Sequence, residues 1–230
     1  ERIDPLLGDE EDFRTLCAEA KKRGIHVMLD GVFNHTGRKS VYFNADGFYP
    51  GLGAAQGEQS PYYRWYNFHP FPDEYDAWWG IKNLPAVNEL EKSYVDYIIE
   101  GNNSIIKRWL RAGASGWRLD VADELPDEFI VKIRAAMNEE NPDTYLLGEV
   151  WEDGTTKIAY SQRRKYLLGR ETNGLMNYPF RTALMAYLLG GGAEYFRDSM
   201  EELRENYPAP AFYGAMNFLS THDTPRLLTI

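Results

Sequence analysis

The chain has 230 residues, of which 43% are hydrophobic, so it can bury a core and does not have the composition of a disordered segment. Its formal net charge is −10, which argues against a nucleic-acid partner, because such partners require basic side chains that neutralise phosphates. No apolar run approaches the roughly 18 residues of a membrane-spanning helix, so we expect no membrane insertion. A single cysteine excludes an internal disulfide bond and fits the cytoplasm without requiring it.

Helical and strand-like patterns alternate along the chain, except in one long segment. Strands are predicted at residues 25–30, 116–121, 144–150, 174–178 and 215–220. Helices are predicted over residues 10–23, 92–111 and 193–205, around 129–137, and on both sides of the strand at 174–178. The helix over 92–111 has a weak point at Gly101. This alternation indicates an α/β fold with parallel strands and right-handed crossovers, either a doubly wound sheet or a (β/α) barrel.

Residues 36–91 interrupt the alternation and show neither a helical nor a strand period. Nine aromatic residues crowd into residues 62–79. A connection of this length inside a domain is normally functional or a small domain of its own. Its aromatic rings either stack on the apolar faces of sugar rings or form a local core, and the sequence leaves both interpretations open.

Chemically active side chains collect at the ends of four predicted strands. They are Asp30 on the first strand, Arg118 and Asp120 on the second, Glu149 and Trp151 on the third, and His222 and Asp223 on the last. One acidic residue at a strand end ordinarily caps a helix, but four such ends are hard to explain by capping. Because parallel α/β folds form their sites at the carboxyl ends of strands, the pattern predicts a site there.

Asp120 and Glu149 have the placement of a catalytic pair. Neighbouring strands lie about 4.8 Å apart, so carboxylates at matching heights can stand roughly 5 Å apart, as in retaining glycoside hydrolases. Arg118 points to the same face as Asp120, and we expect it to keep that carboxyl ionised, as a nucleophile requires. Glu149 lies in an apolar context that we expect to raise its pKa, as a general acid requires.

Five segments together resemble the signature segments of the α-amylase superfamily (glycoside hydrolase family 13). They are DGVFNH (Asp30–His35), LPAVNE (Leu84–Glu89), GWRLDVADE (Gly116–Glu124), GEVWE (Gly148–Glu152) and FLSTHDT (Phe218–Thr224). Their order and spacing match the family over nearly the whole chain. Within the superfamily, the chain is most similar to the neopullulanase, cyclomaltodextrinase and maltogenic amylase group.

The resemblance implies a (β/α)8 TIM barrel, here truncated to about strands 3–7. Residues 1–35 and 92–230 would form the partial catalytic barrel, and residues 36–91 the aromatic-rich domain B inserted after strand 3. Strands one, two and eight would then be missing, as in a piece of something longer. Exposed parallel edges favour pairing with other chains, so we expect the truncated barrel to self-associate or to swap elements.

The resemblance also assigns roles to individual residues. It implies Asp120 as the nucleophile, Glu149 as the acid/base and Asp223 as the third catalytic carboxylate, with substrate contacts or support from Asp30, His35, Arg118, Trp151 and His222. Asn34 matches a calcium-binding position of many α-amylases. No cofactor is required by this assignment, and calcium is left open.

The activity implied is retaining hydrolysis of α-1,4 glucosidic bonds through a covalent glycosyl-enzyme, with α-1,6 bonds left open. The substrates would be starch-like polymers, maltooligosaccharides or cyclodextrins. The alternative is a catalytically incomplete fragment that at most binds glucans. A non-enzymatic interaction subunit would be marked by loss of the carboxylates, and all of them are present.

Overall fold

A parallel sheet forms the centre of the computed structural model, which describes residues 2–229. The strands are β1 (Met28–Gly31), β2 (Gly116–Leu119), β3 (Tyr145–Gly148), β4 (Ile158–Ala159), β5 (Gln162–Arg163) and β6 (Gly174–Leu175). The sheet has the order β1-β2-β3-β6, whereas β4 and β5 pair with each other as an antiparallel hairpin. The first four predicted strands are therefore confirmed, three with shorter bounds and the first shifted from 25–30 to 28–31. At the fifth, residues 215–220, the structure has only an isolated parallel bridge between Met216 and Met176.

Seven α-helices are described. They are α1 (Glu10–Lys21), α2 (Lys92–Val95), α3 (Ile105–Arg111), α4 (Asp127–Glu140), α5 (Tyr178–Leu188), α6 (Ala193–Asn206) and α7 (Ala209–Tyr213). The helix predicted before the strand at 174–178 is wrong, because the β4–β5 hairpin occupies that connection. Tyr178, predicted as the end of a strand, instead begins α5, which Asn177 caps by accepting from the amide of Phe180.

The single helix predicted over 92–111 is broken in two. A π-helical turn, Asp96–Glu100, follows α2, and α3 begins only after Ser104. The break lies at Gly101, the weak point seen in the sequence. Only glycine fits there, because a Cβ on this residue would stand 2.5 Å from the carbonyl oxygen of Asp96. Ser104 stabilises the break by donating from its hydroxyl to the carbonyl of Ile99 at 2.8 Å.

The register of the sheet positions the strand ends. Asp30 lies beside Arg118 across the β1–β2 pair. Leu119 lies beside Gly148 across the β2–β3 pair, so the next residues, Asp120 and Glu149, leave the sheet at the same level. All four strands of the sheet run in one direction, so these side chains meet at the carboxyl end of the sheet.

The core lies between the sheet and the helices. All four residues of β2 are buried, and α4 covers the sheet with the fully buried side chains of Ile133 and Met137. By contrast, β1 is the outer strand of the described sheet, and Met28 and Val32 next to its ends are 38% and 42% exposed. No helix within residues 2–229 is long and apolar enough to cross a membrane.

Residues 36–91 contain three short 3-10 turns and isolated bridges rather than extended strands or α-helices. Phe43 is fully buried at the centre of their aromatic cluster, with ring centroids 4.9 Å from Tyr66 and 4.7 Å from Tyr75. Trp65 connects the segment to α2 through Tyr94, at 4.9 Å. These rings form the local core that was one of the two interpretations. The separation of the chain into a barrel and a domain B stays a prediction.

Candidate functional site

One guanidinium gathers three carboxylates from three adjacent strands. Nη1 of Arg118 donates to Oδ1 of Asp30 at 2.8 Å and to Oδ1 of Asp120 at 2.6 Å. Nη2 forms an ion pair with Oε2 of Glu149 at 2.9 Å. The side chain of Arg118 is only 11% exposed, and those of Asp120 and Glu149 are 20% and 4% exposed, so water screens these two pairs weakly. The side chain of Asp30 is 54% exposed, so its pair with Arg118 is better solvated. The structure therefore brings together four of the predicted site residues.

The electrostatics around Asp120 differ from the expectation. Burial raises the pKa of Asp120, and the charges of Glu149 and Asp30 act in the same direction. The hydrogen bond and charge of Arg118 lower it, as expected, but they do not outweigh burial. Arg118 thus limits the cost of a buried negative charge rather than depressing the pKa below its usual range.

Glu149 is buried, with 3% of the residue exposed, and both of its oxygens have partners. Oε2 accepts from the backbone amide of Val121 at 2.8 Å, in addition to the Arg118 pair. Oε1 accepts from Nε1 of Trp151 at 3.0 Å and from the hydroxyl of Tyr178 at 3.4 Å. The two oxygens are therefore distinct: Oε2 faces fixed donors of the sheet end, and Oε1 faces the ring of a half-exposed tryptophan.

Trp151 lies on Tyr178 with ring centroids 4.1 Å apart and planes 15° from parallel. Tyr178 in turn packs edge-on against Phe218, at 4.8 Å. Tyr178 was predicted as the end of a strand and therefore not as a residue of the site. The helix-start signal of Asn177 followed by Pro179 was the feature that indicates its true position at the beginning of α5.

Asp223 and His222 lie on the loop after the last bridge and pair with each other. Nε2 of His222 is 3.1 Å from Oδ2 of Asp223, and the two side chains are 71% and 36% exposed. Neither residue contacts Arg118, whose described partners are the three carboxylates and Met176. Tyr178 lies close enough to both Glu149 and Asp223 for their charges to act on its hydroxyl. Burial raises the pKa of Tyr178 to about 12, and the charges of Glu149 and Asp223 contribute to that rise.

His35 is held beside the same carboxyl end of the sheet. Its Nδ1 lies 2.6 Å from Oδ1 of Asn34, and its ring stacks on Trp78 with centroids 5.2 Å apart. A bridge between His35 and Ala86 places the LPAVNE segment next to the DGVFNH segment. Burial lowers the pKa of His35, whereas the charge of Asp120 acts in the opposite direction.

The surroundings of Asn34 offer few ligands for calcium. Its side-chain oxygen faces His35, and its amide nitrogen lies 3.5 Å from Oε2 of Glu124. Calcium takes about six to eight oxygen ligands. Residues 2–229 contain no group of three or more histidine, cysteine, aspartate or glutamate side chains placed to hold a metal ion. A calcium site at Asn34 stays a prediction that the described donors do not favour.

Sequence reasoning also missed Arg164, which supports the turn after Asp120. Its residue is 4% exposed, and its guanidinium donates to the carbonyls of Asp123 at 2.9 Å and Leu125 at 2.6 Å. Its Nε lies 2.5 Å from Oδ1 of Asp127 at the start of α4. The β4–β5 hairpin, through the residue that follows it, therefore fixes the segment that leads away from Asp120.

Comparison with known proteins gives this site a family context. The model of the α-amylase catalytic domain matches residues 1–230. The chain is 37% identical to an amylopullulanase of Thermoanaerobacter thermohydrosulfuricus, over 100% of this chain and 17% of that protein. It is 34% identical to an intracellular maltogenic amylase of Bacillus subtilis, over 99% of this chain and 36% of that protein.

The fold comparison agrees with the sequence comparison. A solved cyclic α-maltosyl-(1→6)-maltose hydrolase of Arthrobacter globiformis superposes with a TM-score of 0.84 and 28% identity, over 99% of this chain and 49% of that chain. This chain thus spans about half of that solved chain and a smaller share of the two curated relatives. The predicted similarity to the cyclomaltodextrinase, maltogenic amylase and neopullulanase group is confirmed.

Proposed function

The chain belongs to the α-amylase catalytic-domain family, its sheet is an open portion of that family's (β/α) barrel, and on this basis we propose that the full-length protein is a retaining α-glucan hydrolase. Its substrates are starch-like polymers, maltooligosaccharides or cyclodextrins, and the bonds it cleaves are α-1,4, with α-1,6 bonds as a further class. Relatives whose names denote action on such substrates include amylopullulanases and cyclomaltodextrinases.

The observation that carries the proposal is the convergence of Asp30, Asp120 and Glu149 on Arg118. A retaining hydrolase needs two carboxyl groups about 5–5.5 Å apart on neighbouring supports. Asp120 and Glu149 leave adjacent strands at one level and pair with different nitrogens of one rigid guanidinium. A single planar cation therefore positions both groups relative to each other.

In the first half-reaction, a carboxylate oxygen of Asp120 attacks the anomeric carbon of the glucosyl unit. Glu149 donates a proton to the glycosidic oxygen, and the bond between that oxygen and the anomeric carbon breaks. Oε1 of Glu149 carries this proton, because Oε2 pairs with the cation of Arg118 and with the Val121 amide, whereas the donors beside Oε1, on Trp151 and Tyr178, are neutral. The product is a glycosyl ester of Asp120 and a released saccharide.

In the second half-reaction, Glu149 accepts a proton from water, and the water oxygen attacks the anomeric carbon. The ester bond breaks and Asp120 regains its charge, which Arg118 stabilises. Two inversions leave the configuration retained. We assign contacts with sugar hydroxyls to Asp223, His222 and His35, and a stacking surface to Trp151.

The alternative is that the 230-residue chain alone is catalytically incomplete and at most binds glucans. The observation that favours it is the open edge of the sheet beside β1. A groove of about 410 Å³ lies there, and its lining includes the apolar side chains of Leu29, Phe33 and Trp117. A complete barrel has no such edge.

The test measures the reducing sugar that the full-length protein releases from maltooligosaccharides. We expect Glu149→Gln to lower kcat by at least about 10³-fold, since the amide cannot donate the proton. Glu152→Gln is the matched control, because Glu152 lies in the same segment but is 60% exposed and paired with Lys157. Unchanged turnover in Glu149→Gln would contradict the proposal. Turnover by the full-length protein but not by the isolated chain would identify the chain as the incomplete form.

A further inference from the structure

Three aromatic rings form a continuous stack from the candidate site to the solvent. His35 stacks on Trp78 with centroids 5.2 Å apart, and Trp78 stacks on Trp79 with centroids 5.1 Å apart. The planes of each pair are 21–23° from parallel. Trp78 is half-buried, but Trp79 is 78% exposed. The stack therefore ends on an open indole, although the central rings of the same segment are buried.

The backbone holds Trp79 in this position at a conformational cost. Trp79 has φ 50° and ψ 27°, in the left-handed region that bulky residues rarely adopt. The chain around this residue is fixed, because the backbone amide of Trp78 donates to the carbonyl of Leu84 at 2.9 Å and Ala77 forms a β-bridge with Pro85. No burial compensates for this conformation, so its effect is to present the indole rather than to pack it.

A side-chain contact then fixes the orientation of the ring. Nε1 of Trp79 donates to Oε1 of Glu124 at 2.7 Å. Glu124 lies in the turn that follows Asp120, and its backbone carbonyl accepts from the hydroxyl of Tyr160 on the β4–β5 hairpin. The exposed indole is therefore anchored to the turn that follows the candidate nucleophile Asp120.

From this arrangement we infer that Trp79 is a stacking platform for a glucosyl unit of the α-glucan chain, separate from the unit at the cleaved bond. The inference rests on the proposed function and adds a subsite to it. One face of the indole is covered by Trp78, and the other face is open to receive the apolar C–H face of a pyranose ring. The carboxylate of Glu124 acts as a positioning group that fixes the plane of the indole.

The chemistry around the platform favours a neutral saccharide over a charged ligand. The carboxylate of Glu124 is bonded to Trp79, and the chain as a whole carries a formal charge of −10. An anionic ligand would be repelled there, whereas the hydroxyls of a sugar are good donors to carboxylate oxygens. A long oligosaccharide that reaches the Arg118 cluster and Trp79 together gains contacts that a short one cannot make.

The experiment measures affinity by titration calorimetry in the full-length protein carrying Glu149→Gln, with maltotriose and maltoheptaose as probes. We expect Trp79→Ala to weaken maltoheptaose binding about 3- to 10-fold, the effect of losing one aromatic face contact, and to change maltotriose binding less than twofold. Trp79→Phe should restore most of the affinity. Phe48→Ala is the matched control, because Phe48 is a 64% exposed aromatic residue of the same segment outside the stack.

Kinetics in the full-length protein that retains Glu149, called the parent protein below, give an independent readout. Trp79→Ala should raise KM for long substrates and leave kcat unchanged, as expected when binding is lost equally from the ground and transition states.

Unchanged maltoheptaose affinity in Trp79→Ala, or an equal loss in Phe48→Ala, would overturn the inference while hydrolysis by the parent protein still supports the proposed function. If the parent protein hydrolyses no glucan but Trp79→Ala still weakens binding selectively, the platform stands and the proposed function falls. Absence of any oligosaccharide binding would overturn both.

Discussion

The backbone amide of Val121 donates a 2.8 Å hydrogen bond to Oε2 of Glu149. Val121 makes this bond from a left-handed conformation, with φ 38° and ψ 54°, which a β-branched residue adopts only at a cost. The bond joins the residue after one candidate catalytic carboxylate to the other carboxylate. The strained backbone of Val121 is therefore coupled to the position of Glu149. Strained backbone conformations of this kind are commonly found at the active sites of enzymes.

We predict that Val121→Gly will be more stable than Val121→Ala by about 1 kcal/mol, because glycine adopts a positive φ without a clash and alanine does not. At an ordinary backbone position the order would be reversed, since glycine gains more entropy on unfolding. The measurement is the free energy of unfolding in urea for the two variants. A more stable alanine variant would show that Val121 is not held in the left-handed region.

The main features of the site were predictable from the sequence because they follow from strand periodicity. Arg118 and Asp120 are two residues apart on a strand, so they share a face, and the register then brings Asp30 and Glu149 to the same edge. The fifth strand was not predictable in the same way. Near Met216 the chain makes one bridge to Met176, and pairing of that kind depends on partners distant in sequence.

Arg164 shows why other features of the site escape sequence reasoning. It lies in the run Arg163-Arg164-Lys165, which has the pattern of a solvated basic surface. In the structure Arg163 is exposed, but Arg164 is buried against the carbonyls of the turn that follows Asp120. Burial of one residue in a charged run depends on where the β4–β5 hairpin folds back, which has no local signature.

This contrast between neighbours predicts a large difference between two substitutions. Arg164→Met should destabilise the protein by about 3 kcal/mol, because it leaves Asp127 without its buried partner and the carbonyls of Asp123 and Leu125 without a donor. Arg163→Met should cost less than about 1 kcal/mol, as is typical of exposed arginines. Thermal unfolding of the two variants measures the difference. Equal effects would mean that Arg164 does not support the turn.

Glu171 predicts a specific pH dependence of stability. The residue is 3% exposed, and burial together with the charge of Asp127 raises its pKa to about 7, against opposing effects from Arg164 and Lys165. A carboxyl whose pKa is higher in the folded state stabilises folding while it is protonated. Its contribution is therefore fully present below the unfolded pKa of about 4.5 and is lost as the pH rises through about 7.

Replacing this group with a neutral isostere should remove that pH dependence. Relative to the parent, Glu171→Gln should gain about 1–3 kcal/mol of unfolding free energy at pH 8 and nothing at pH 4.5. Glu128→Gln is the control, since that side chain is 66% exposed and should give no such trend. Urea unfolding across this pH range measures both variants. A gain that does not change with pH would contradict a raised pKa at Glu171.

The open edge of the sheet predicts the behaviour of the 230-residue chain on its own. In β2 every residue is buried, whereas Met28 and Val32 at the ends of the outer strand β1 are 38% and 42% exposed, next to the groove lined by Leu29 and Phe33. An unpaired parallel edge with apolar side chains pairs readily with another chain.

We therefore expect static light scattering to report a mass above the 26.5 kDa of one chain, and we expect Val32→Lys to reduce that mass. Val131→Lys on α4, 37% exposed but away from the edge, should leave the association unchanged. A monomer that unfolds cooperatively at micromolar concentration would show that the edge is closed by the chain itself.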